Sequence, residues 1–155
     1  MILTENARLR LRTMCRDDLE ELYALLSDAE VMRWLEPPFT REQAERFLQQ
    51  AGLSEPPLVY AAESSEGEFL GYAIYHGYDE RSCELGWVLK PAFWHKGYAD
   101  EMTDLLTALA RREGKDAVIE CAPEQTASAQ IARRHCFSYE GRAGGCDVYR
   151  LRCKE

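Results

Sequence analysis

The segment Lys90–Met102, with the sequence KPAFWHKGYADEM, decides the fold of this chain. It follows the apolar run Cys83–Leu89, which is typical of a strand, and it leads into an amphipathic helix pattern after Gly97. A loop between a strand and a helix can hold phosphate, because the first backbone N–H groups of a helix lack intrahelical partners and the helix dipole adds partial positive charge. Gly97 permits a tight turn, and Ala99 keeps the first helical turn slim. The segment therefore predicts a site for a phosphate-bearing ligand.

The composition indicates one domain that spans residues 1–155. The chain is 46% hydrophobic and 30% charged, which is ordinary for a soluble globular protein, and it is long enough for a single core. The beginning of the sequence lacks the basic-then-apolar pattern of a signal peptide, and no apolar run approaches the roughly 18 residues of a membrane span. We therefore expect a cytoplasmic protein.

Cysteine spacing and net charge exclude several classes of site. The six cysteines form no CxxC pair and the three histidines are scattered away from them, so we predict free thiols and no metal site. The net charge of −8 disfavours nucleic acid or an anionic membrane as a partner, because both need a basic face. An acidic surface attracts cationic substrates such as amines, although negative charge also serves solubility alone.

Hydrophobic periodicity and turn residues predict the order β-α-α-β-β-β-α-β-α-β-β in a mixed α/β (α+β) sheet. Asp17 and Thr40 open the first two helices, and Gln43 completes a T-x-x-Q capping box with Thr40. The helix after Gly97 ends near Gly114. The predicted strands are 8–12, 58–63, 69–76, 83–89, 117–122, 137–142 and 146–152, and the last helix is 126–135. The helix between the fourth and fifth strands demands a parallel crossover, so these two strands lie side by side.

Element order and motifs together resemble the GNAT superfamily of acyl-CoA-dependent N-acetyltransferases, and most closely its RimJ/RimL-like branch. Four stretches carry the resemblance along nearly the whole chain: RLRLRTMCRDDLEELYALLSDAEVMRWL (8–35), CELGWVLKPAFWHKGYADEM (83–102), PEQTASAQIARRHCFSYEG (123–141) and DVYRLRCKE (147–155). The resemblance implies a GNAT-like fold, with a mostly antiparallel sheet that is splayed between its fourth and fifth strands. It implies acetyl transfer to a primary amine, either a small molecule or a protein N-terminus.

The resemblance also implies acetyl-CoA as the cosubstrate, bound where the two strands splay apart. Its pantetheine is expected on the backbone of the fourth strand, at Trp87, Val88 and Leu89. Its pyrophosphate is expected on the loop and helix start formed by His95, Lys96, Gly97, Tyr98, Ala99 and Asp100, in agreement with the cradle inferred from backbone physics. Gln125 and Ser128 match the Asn and Ser of the second family motif, P-E-N-x-x-S, whose Asn anchors the pantetheine.

Two carboxylates are candidates for the general base, which an amine needs because it must lose a proton before it attacks the thioester. Glu84 precedes the cofactor motif where several family members carry their base, and Glu120 matches the other recurrent base position. For each, the alternative is an ordinary strand carboxylate that is solvated or ion-paired. From the sequence, the general base can be Glu84, Glu120 or neither of them.

The chain departs from the family pattern at four positions. His95 and Cys136 stand where the family has Gly, and we expect that Cys136 does not allow the backbone angle that Gly would take there. Gln125 replaces the family Asn, and this replacement keeps the side-chain amide but shifts its position. Ala132 stands where the family often has a Tyr that acts as general acid.

These departures sustain an alternative function, a catalytically degenerate CoA-binding sensor or interaction module of the same fold. For the acceptor pocket, the candidates Met32, Trp34 and Phe39 lie between the first two helices, although core packing is the commoner fate of such residues. A second copy of the chain is a candidate partner as a homodimer, but nothing in the sequence gives a subunit count.

Overall fold

The computed structural model describes residues 1–154, which form an eight-stranded mixed sheet and four α-helices. The strands are β1 (Ile2–Glu5), β2 (Leu9–Arg12), β3 (Val59–Ser64), β4 (Phe69–Gly77), β5 (Ser82–Leu89), β6 (Asp116–Cys121), β7 (Ser138–Ala143) and β8 (Cys146–Leu151). The helices are α1 (Leu19–Leu26), α2 (Arg41–Phe47), α3 (Tyr98–Arg112) and α4 (Thr126–Arg134). Across the sheet the order is β1-β2-β3-β4-β5-β6-β8-β7. Among residues 1–154, no helix has the length and apolar character needed to cross a membrane.

The predicted element order is confirmed, with one additional strand at the beginning. β1 pairs antiparallel with β2, and the turn between them is held by Asn6, whose Oδ1 accepts from the backbone N–H groups of Arg8 (2.8 Å) and Leu9 (3.0 Å). A short Asn turn of this kind is a local feature. The strand before it, ILTE, is too short and too exposed to show an alternating pattern. The fourth and fifth predicted strands are therefore β5 and β6.

The sheet has a core on each face. The α3 and α4 helices cover one face, where Met102, Leu106 and Ala132 are almost fully buried against strand residues such as Leu85 and Ile119. The α1 and α2 helices cover part of the other face, with the buried residues Leu22, Leu25, Leu48, Val59 and Tyr72.

Local sequence signals set several helix ends. Thr40 and Gln43 form the predicted capping box, because Gln43 N donates to Thr40 Oγ1 (3.2 Å) and Thr40 N donates to Gln43 Oε1 (2.8 Å). Gly97 begins α3 with φ of 84°, and Gly114 follows its end with φ of 70°. Both angles lie in the left-handed region that glycine adopts without a steric penalty.

β5 and β6 separate after a short parallel pairing. Only Ser82, Cys83 and Glu84 pair with β6, opposite Asp116, Ala117 and Val118. Beyond Glu84, β5 stays paired with β4 on one side while β6 stays paired with β8. The predicted splay is thus present, and a V-shaped cleft opens between the C-terminal halves of the two strands.

Candidate active site

A cavity of about 520 Å³ occupies the cleft. Its walls are the end of β5, the start of α3, the start of α4 and the segment between α1 and α2. Of the residues predicted to bind the cofactor, the wall contains Trp87, Val88, Leu89, His95, Gly97, Tyr98, Ala99, Asp100, Gln125 and Ser128. Lys96 is exposed beside the wall, and its contact with phosphate stays a prediction.

The backbone of β5 is available in the cleft at Trp87. Lys90 N donates to Leu70 O at 2.9 Å, and the residues of an antiparallel ladder alternate between bonded and non-bonded pairs. By this alternation, the N–H and C=O groups of Trp87 and Leu89 point away from β4 and into the cleft. The Leu89 carbonyl accepts from the indole Nε1 of Trp94 at 2.9 Å. The peptide groups of Trp87 and the N–H of Leu89 are therefore left for an extended ligand with amide groups.

The loop after β5 forms the predicted anion cradle. Gly97 caps α3, and Glu101 N is bonded to Gly97 O at 3.1 Å. The N–H groups of Tyr98, Ala99 and Asp100 precede this first intrahelical bond, as expected for the first turn of a helix. These donors and the positive end of the α3 dipole fit the pyrophosphate of acetyl-CoA.

The Asp100 carboxylate lies in this cradle, and the side chains of Arg134 and His135 form hydrogen bonds with it. Arg134 Nη2 lies 3.0 Å from both Asp100 oxygens, and His135 Nε2 lies 2.9 Å from Oδ1. Burial raises the pKa of Asp100, but the hydrogen bonds from His135 and Arg134 outweigh it and hold the pKa below its usual value. Arg133 instead points to the Tyr149 hydroxyl, at 3.4 Å. Of the two arginines on α4, only Arg134 faces the cavity.

Gln125 binds the backbone of its own loop. Its Oε1 accepts from Ala122 N at 2.7 Å, which joins the end of β6 to the start of α4. Gln125 also lines the cavity, and its Nε2 donor is not used by this bond, so it is a candidate for a pantetheine contact. Whether Gln125 anchors a ligand stays a prediction.

Glu84 and Glu120 lie together where the strands diverge. Glu84 is opposite Val118 in the β5–β6 pairing, so Glu120, two residues further along β6, lies on the same face of the sheet. The Tyr78 hydroxyl donates to Glu120 Oε2 at 2.5 Å, and this bond is the main reason that the pKa of Tyr78 is raised to about 12. Both candidate bases therefore sit at the vertex of the cleft, although neither is among the residues that line the cavity.

The pKa of Glu84 is raised above its usual value. Burial is the largest cause, the negative charge of Glu120 adds to it, and His76 opposes it. A raised carboxyl pKa suits a general base, because proton uptake is then less unfavourable near neutral pH.

The residues between α1 and α2 divide between core and cavity. Met32 is 4% exposed and Phe39 packs edge-on against Phe47, so both belong to the core. Trp34 is 40% exposed and lines the cavity, with the Arg33 guanidinium 4.6 Å from its ring centroid. Trp34 is the one candidate of the three that lines the cavity, and its contact with an acceptor stays a prediction.

The two family glycines that this chain replaces both correspond to positive φ angles. His95 has φ of 61° and Cys136 has φ of 69°. The expectation that Cys136 does not allow such an angle is wrong, because Cys136 adopts it after the last turn of α4. The left-handed conformation costs a non-glycine residue about 1–2 kcal/mol, and the surrounding packing holds it.

Three residues near the cleft escaped the sequence reasoning. Arg8 reaches the loop from the turn before β2, the Trp94 indole donates to the Leu89 carbonyl, and the Tyr78 hydroxyl donates to Glu120. All three contacts depend on tertiary structure. Of these residues, only Trp94 could have been suspected from the sequence, because of its position in the loop motif.

Comparison with known proteins agrees with this geometry. Residues 8–138 match the family model of the acetyltransferase (GNAT) domain. The chain is 26% identical over 138 residues to YnaD of Bacillus subtilis (strain 168), an uncharacterized N-acetyltransferase, covering 86% of this chain and 81% of YnaD.

Two solved structures share the fold. One is RimL, a ribosomal L7/L12 alpha-N-protein acetyltransferase in complex with coenzyme A, with a TM-score of 0.83, 20% identity and 97% coverage of both chains. The other is spermidine N-acetyltransferase from Vibrio cholerae in complex with CoA and spermine, with a TM-score of 0.77, 19% identity and 94% coverage of both chains. The family match covers most of the chain, and the chain therefore belongs to the GNAT acetyltransferase domain family and is an N-acetyltransferase.

Proposed function

We propose that the protein transfers the acetyl group of acetyl-CoA to a primary amine, either a protein N-terminal α-amine or a small molecule. The observation that carries this proposal is the interrupted pairing of β5 and β6 directly beside the Gly97 cradle. The first feature accepts an extended amide chain and the second accepts a diphosphate. Pantetheine and pyrophosphate are joined in that order in coenzyme A.

The chain binds and orients the cosubstrate mainly through its backbone. The N–H and C=O groups of Trp87 pair with the pantetheine amides, and the N–H groups at the start of α3 bind the pyrophosphate. The bound thioester supplies the acetyl group and takes the electron pair of the broken C–S bond on sulfur. Backbone donors fixed by a sheet and a helix need little reorganisation, which favours binding and catalysis.

We assign the general base to Glu84. Its raised pKa and its place at the vertex of the cleft support this role, whereas Glu120 is engaged by the Tyr78 hydroxyl. Glu84 accepts the proton that the attacking amine loses, directly or through a water, while the amine nitrogen forms the new bond to the acetyl carbon. With Ala132 in place of the family Tyr, solvent supplies the proton that the departing thiolate takes up.

The proposal is tested in two steps. Acetyl-CoA should raise the melting temperature progressively with concentration, as mass action requires for a ligand of the native state. The protein is then incubated with acetyl-CoA and a panel of amines and N-terminal peptides, and acetylated products are detected by mass spectrometry. Direct product detection is preferable to a thiol reagent, because Cys15 and Cys136 are exposed and would react.

The two steps separate the competing functions. If millimolar acetyl-CoA does not stabilise the protein, both proposed CoA-binding functions, the enzyme and the sensor or interaction module, are overturned. Stabilisation without acetylation of any amine would favour the alternative, a CoA-binding sensor or interaction module, over the enzyme.

A further inference from the structure

Arg8 contacts three parts of the cradle from outside the cavity. Its Nη2 donates to the Lys96 carbonyl at 3.0 Å, its Nη1 binds the Glu101 carboxylate, and its Cζ lies 4.3 Å from the centroid of the Tyr98 ring. Lys96 lies just before α3, and Tyr98 and Glu101 lie in its first turn. Arg8 itself lies in the turn between β1 and β2, where its backbone N–H donates to Asn6 Oδ1 at 2.8 Å, and it immediately precedes the inner strand β2. A turn fixed to the sheet therefore holds a loop that would otherwise depend on its own backbone.

The contact with the Lys96 carbonyl fixes the direction of the next N–H group. A trans peptide is planar, and its C=O and N–H bonds point in opposite directions. Because the Lys96 carbonyl points to Arg8, the N–H of Gly97 points away from Arg8. Gly97 lines the cavity, whereas Lys96 does not. Arg8 thus keeps the Lys96 carbonyl directed away from the anion site and the Gly97 N–H directed toward it.

The second contact removes a negative charge from the same site. Glu101 lies in the first turn of α3, where its carboxylate would repel a bound phosphate. Arg8 and the Asn6 amide, whose Nδ2 lies 3.1 Å from Glu101 Oε1, hold this carboxylate on the outer side of the loop. The guanidinium also remains near the cradle as a fixed positive charge.

We infer that Arg8 is a positioning residue for the pyrophosphate loop, which sets the orientation of the Lys96–Gly97 peptide for binding of the CoA diphosphate. The inference rests on the proposed function, since it assigns this loop to coenzyme A. Arg8 acts through the loop and needs no contact with the acetyl group or the amine.

The test compares two acetyl donors that differ in the diphosphate. Acetyl-CoA contains the pyrophosphate, whereas S-acetyl-pantetheine ends before it. Replacing Arg8→Ala should raise the Kd of CoA about tenfold, the loss expected for one charge-assisted hydrogen bond. It should raise the KM for acetyl-CoA with little change in kcat, because the contact is made equally before and during the reaction. Turnover of S-acetyl-pantetheine should stay within twofold of wild type.

Arg10→Ala is the matched control, because Arg10 lies two residues further along the chain in β2, is similarly exposed and pairs with Glu63 at 3.5 Å, away from the loop. It should leave both donors unaffected. If Arg8→Ala fails to fold, Arg8→Lys replaces it, since lysine keeps the charge and the aliphatic stem but loses the fork that spans Lys96 and Glu101. Arg8→Lys should show a smaller loss in the same direction.

The outcomes distinguish this inference from the proposed function. If wild type does not bind CoA, the proposed function fails and the role of Arg8 fails with it. If wild type binds CoA and the Arg8 variant binds it equally well, only the role of Arg8 is overturned. An equal loss with both acetyl donors would also overturn it, because that result indicates a general structural defect.

Discussion

Glu84 and His76 are direct cross-strand partners, and Glu84 Oε1 lies 3.7 Å from His76 Nε2 between β5 and β4. Burial raises the pKa of Glu84 most strongly, Glu120 raises it further, and His76 lowers it. The pKa of this carboxyl is therefore set by burial and by two neighbouring side chains, Glu120 and His76, which can each be replaced. This makes the assignment of the base accessible to pH-rate measurements.

Replacing Glu84→Gln should reduce kcat by about 10²–10⁴-fold, the usual contribution of a general base. The Kd of CoA should stay within twofold, because Glu84 lies outside the cradle. In wild type, a base must be deprotonated to act, so activity should be present above the raised pKa of Glu84 and should fall as the pH drops through it. The measurement is the pH dependence of kcat with a saturating amine.

Glu120→Gln serves as the counterpart in the same assay. It removes a like charge, so the pKa of Glu84 should fall and the acidic limb of the profile should move to lower pH. His76→Gln should move the limb to higher pH. A large loss of kcat in Glu120→Gln with a mild effect of Glu84→Gln would transfer the role of base to Glu120.

Gly97 and Gly67 provide a matched pair for the cradle. Their φ angles are 84° and 86°, and an added Cβ at either position would meet no atom closer than 3.6 Å. Replacing either with Ala should therefore cost a similar free energy of unfolding, about 1 kcal/mol, for conformational reasons alone. Only Gly97→Ala should weaken CoA binding, as measured by calorimetry. Equal CoA affinity in both variants would contradict a role of the loop backbone in binding.

Cys136 should be a site where glycine stabilises the protein. Its φ of 69° is unfavourable for a residue with a Cβ, so Cys136→Gly should raise the free energy of unfolding by about 0.5–1 kcal/mol, after allowance for the greater freedom of glycine in the unfolded chain. Denaturant titration would measure the change. Cys15→Gly is the control, because Cys15 is also exposed but has φ of −131°, and this change should not stabilise.

Asp18 should carry a large part of the acid sensitivity of the fold. It is 6% exposed and accepts from Arg12 Nη1 and Nη2, each at 2.9 Å, and from Cys15 N at 2.8 Å. Burial raises its pKa, but the bonds from Arg12 and Cys15 outweigh burial and lower it. A carboxyl with a lowered pKa stabilises the folded state above its unfolded pKa, and this stabilisation is lost as the pH falls through the folded value.

Asp18→Asn should therefore destabilise the protein at pH 7 by roughly 3 kcal/mol, because it leaves a partly buried Arg12 charge without one of its partners. The difference from wild type should shrink in strong acid, where Asp18 is protonated as well. Asp17→Asn is the control, since Asp17 is exposed. A similar loss in both variants would show that general charge, and not the buried ion pair, is responsible.

Features that depend on neighbouring residues could be read from the sequence. The capping box of Thr40 and Gln43 and the helix boundaries at Gly97 and Gly114 follow from chemistry within a few positions, and they are confirmed. The helix cap near Asp17 was displaced by one residue, because the side chain that bonds in this turn is Asp18. Two adjacent aspartates cannot be ranked without knowing that Arg12 faces only one of them.

Features that depend on distant residues could not be read in this way. The order of elements predicted the crossover that brings β5 and β6 together, but not that the pairing ends at Glu84. Arg8 and Lys96 are 88 positions apart, and neither belongs to a pattern that points to the other. Cys136 shows a different limit, since its side chain argues against a backbone angle that it nevertheless adopts at the end of α4, where Phe137 N donates to Ala132 O at 2.9 Å.

The divergence of β5 and β6 also bears on self-association. An unpaired strand edge ordinarily acts as a template for a second chain. Here the open backbone lies within the sheet, in a gap that closes at Glu84, and Trp94 already covers the Leu89 carbonyl. Such a gap admits one narrow chain at most and excludes another sheet. The fold thereby keeps a strand unpaired for a ligand while denying the same edge to aggregation.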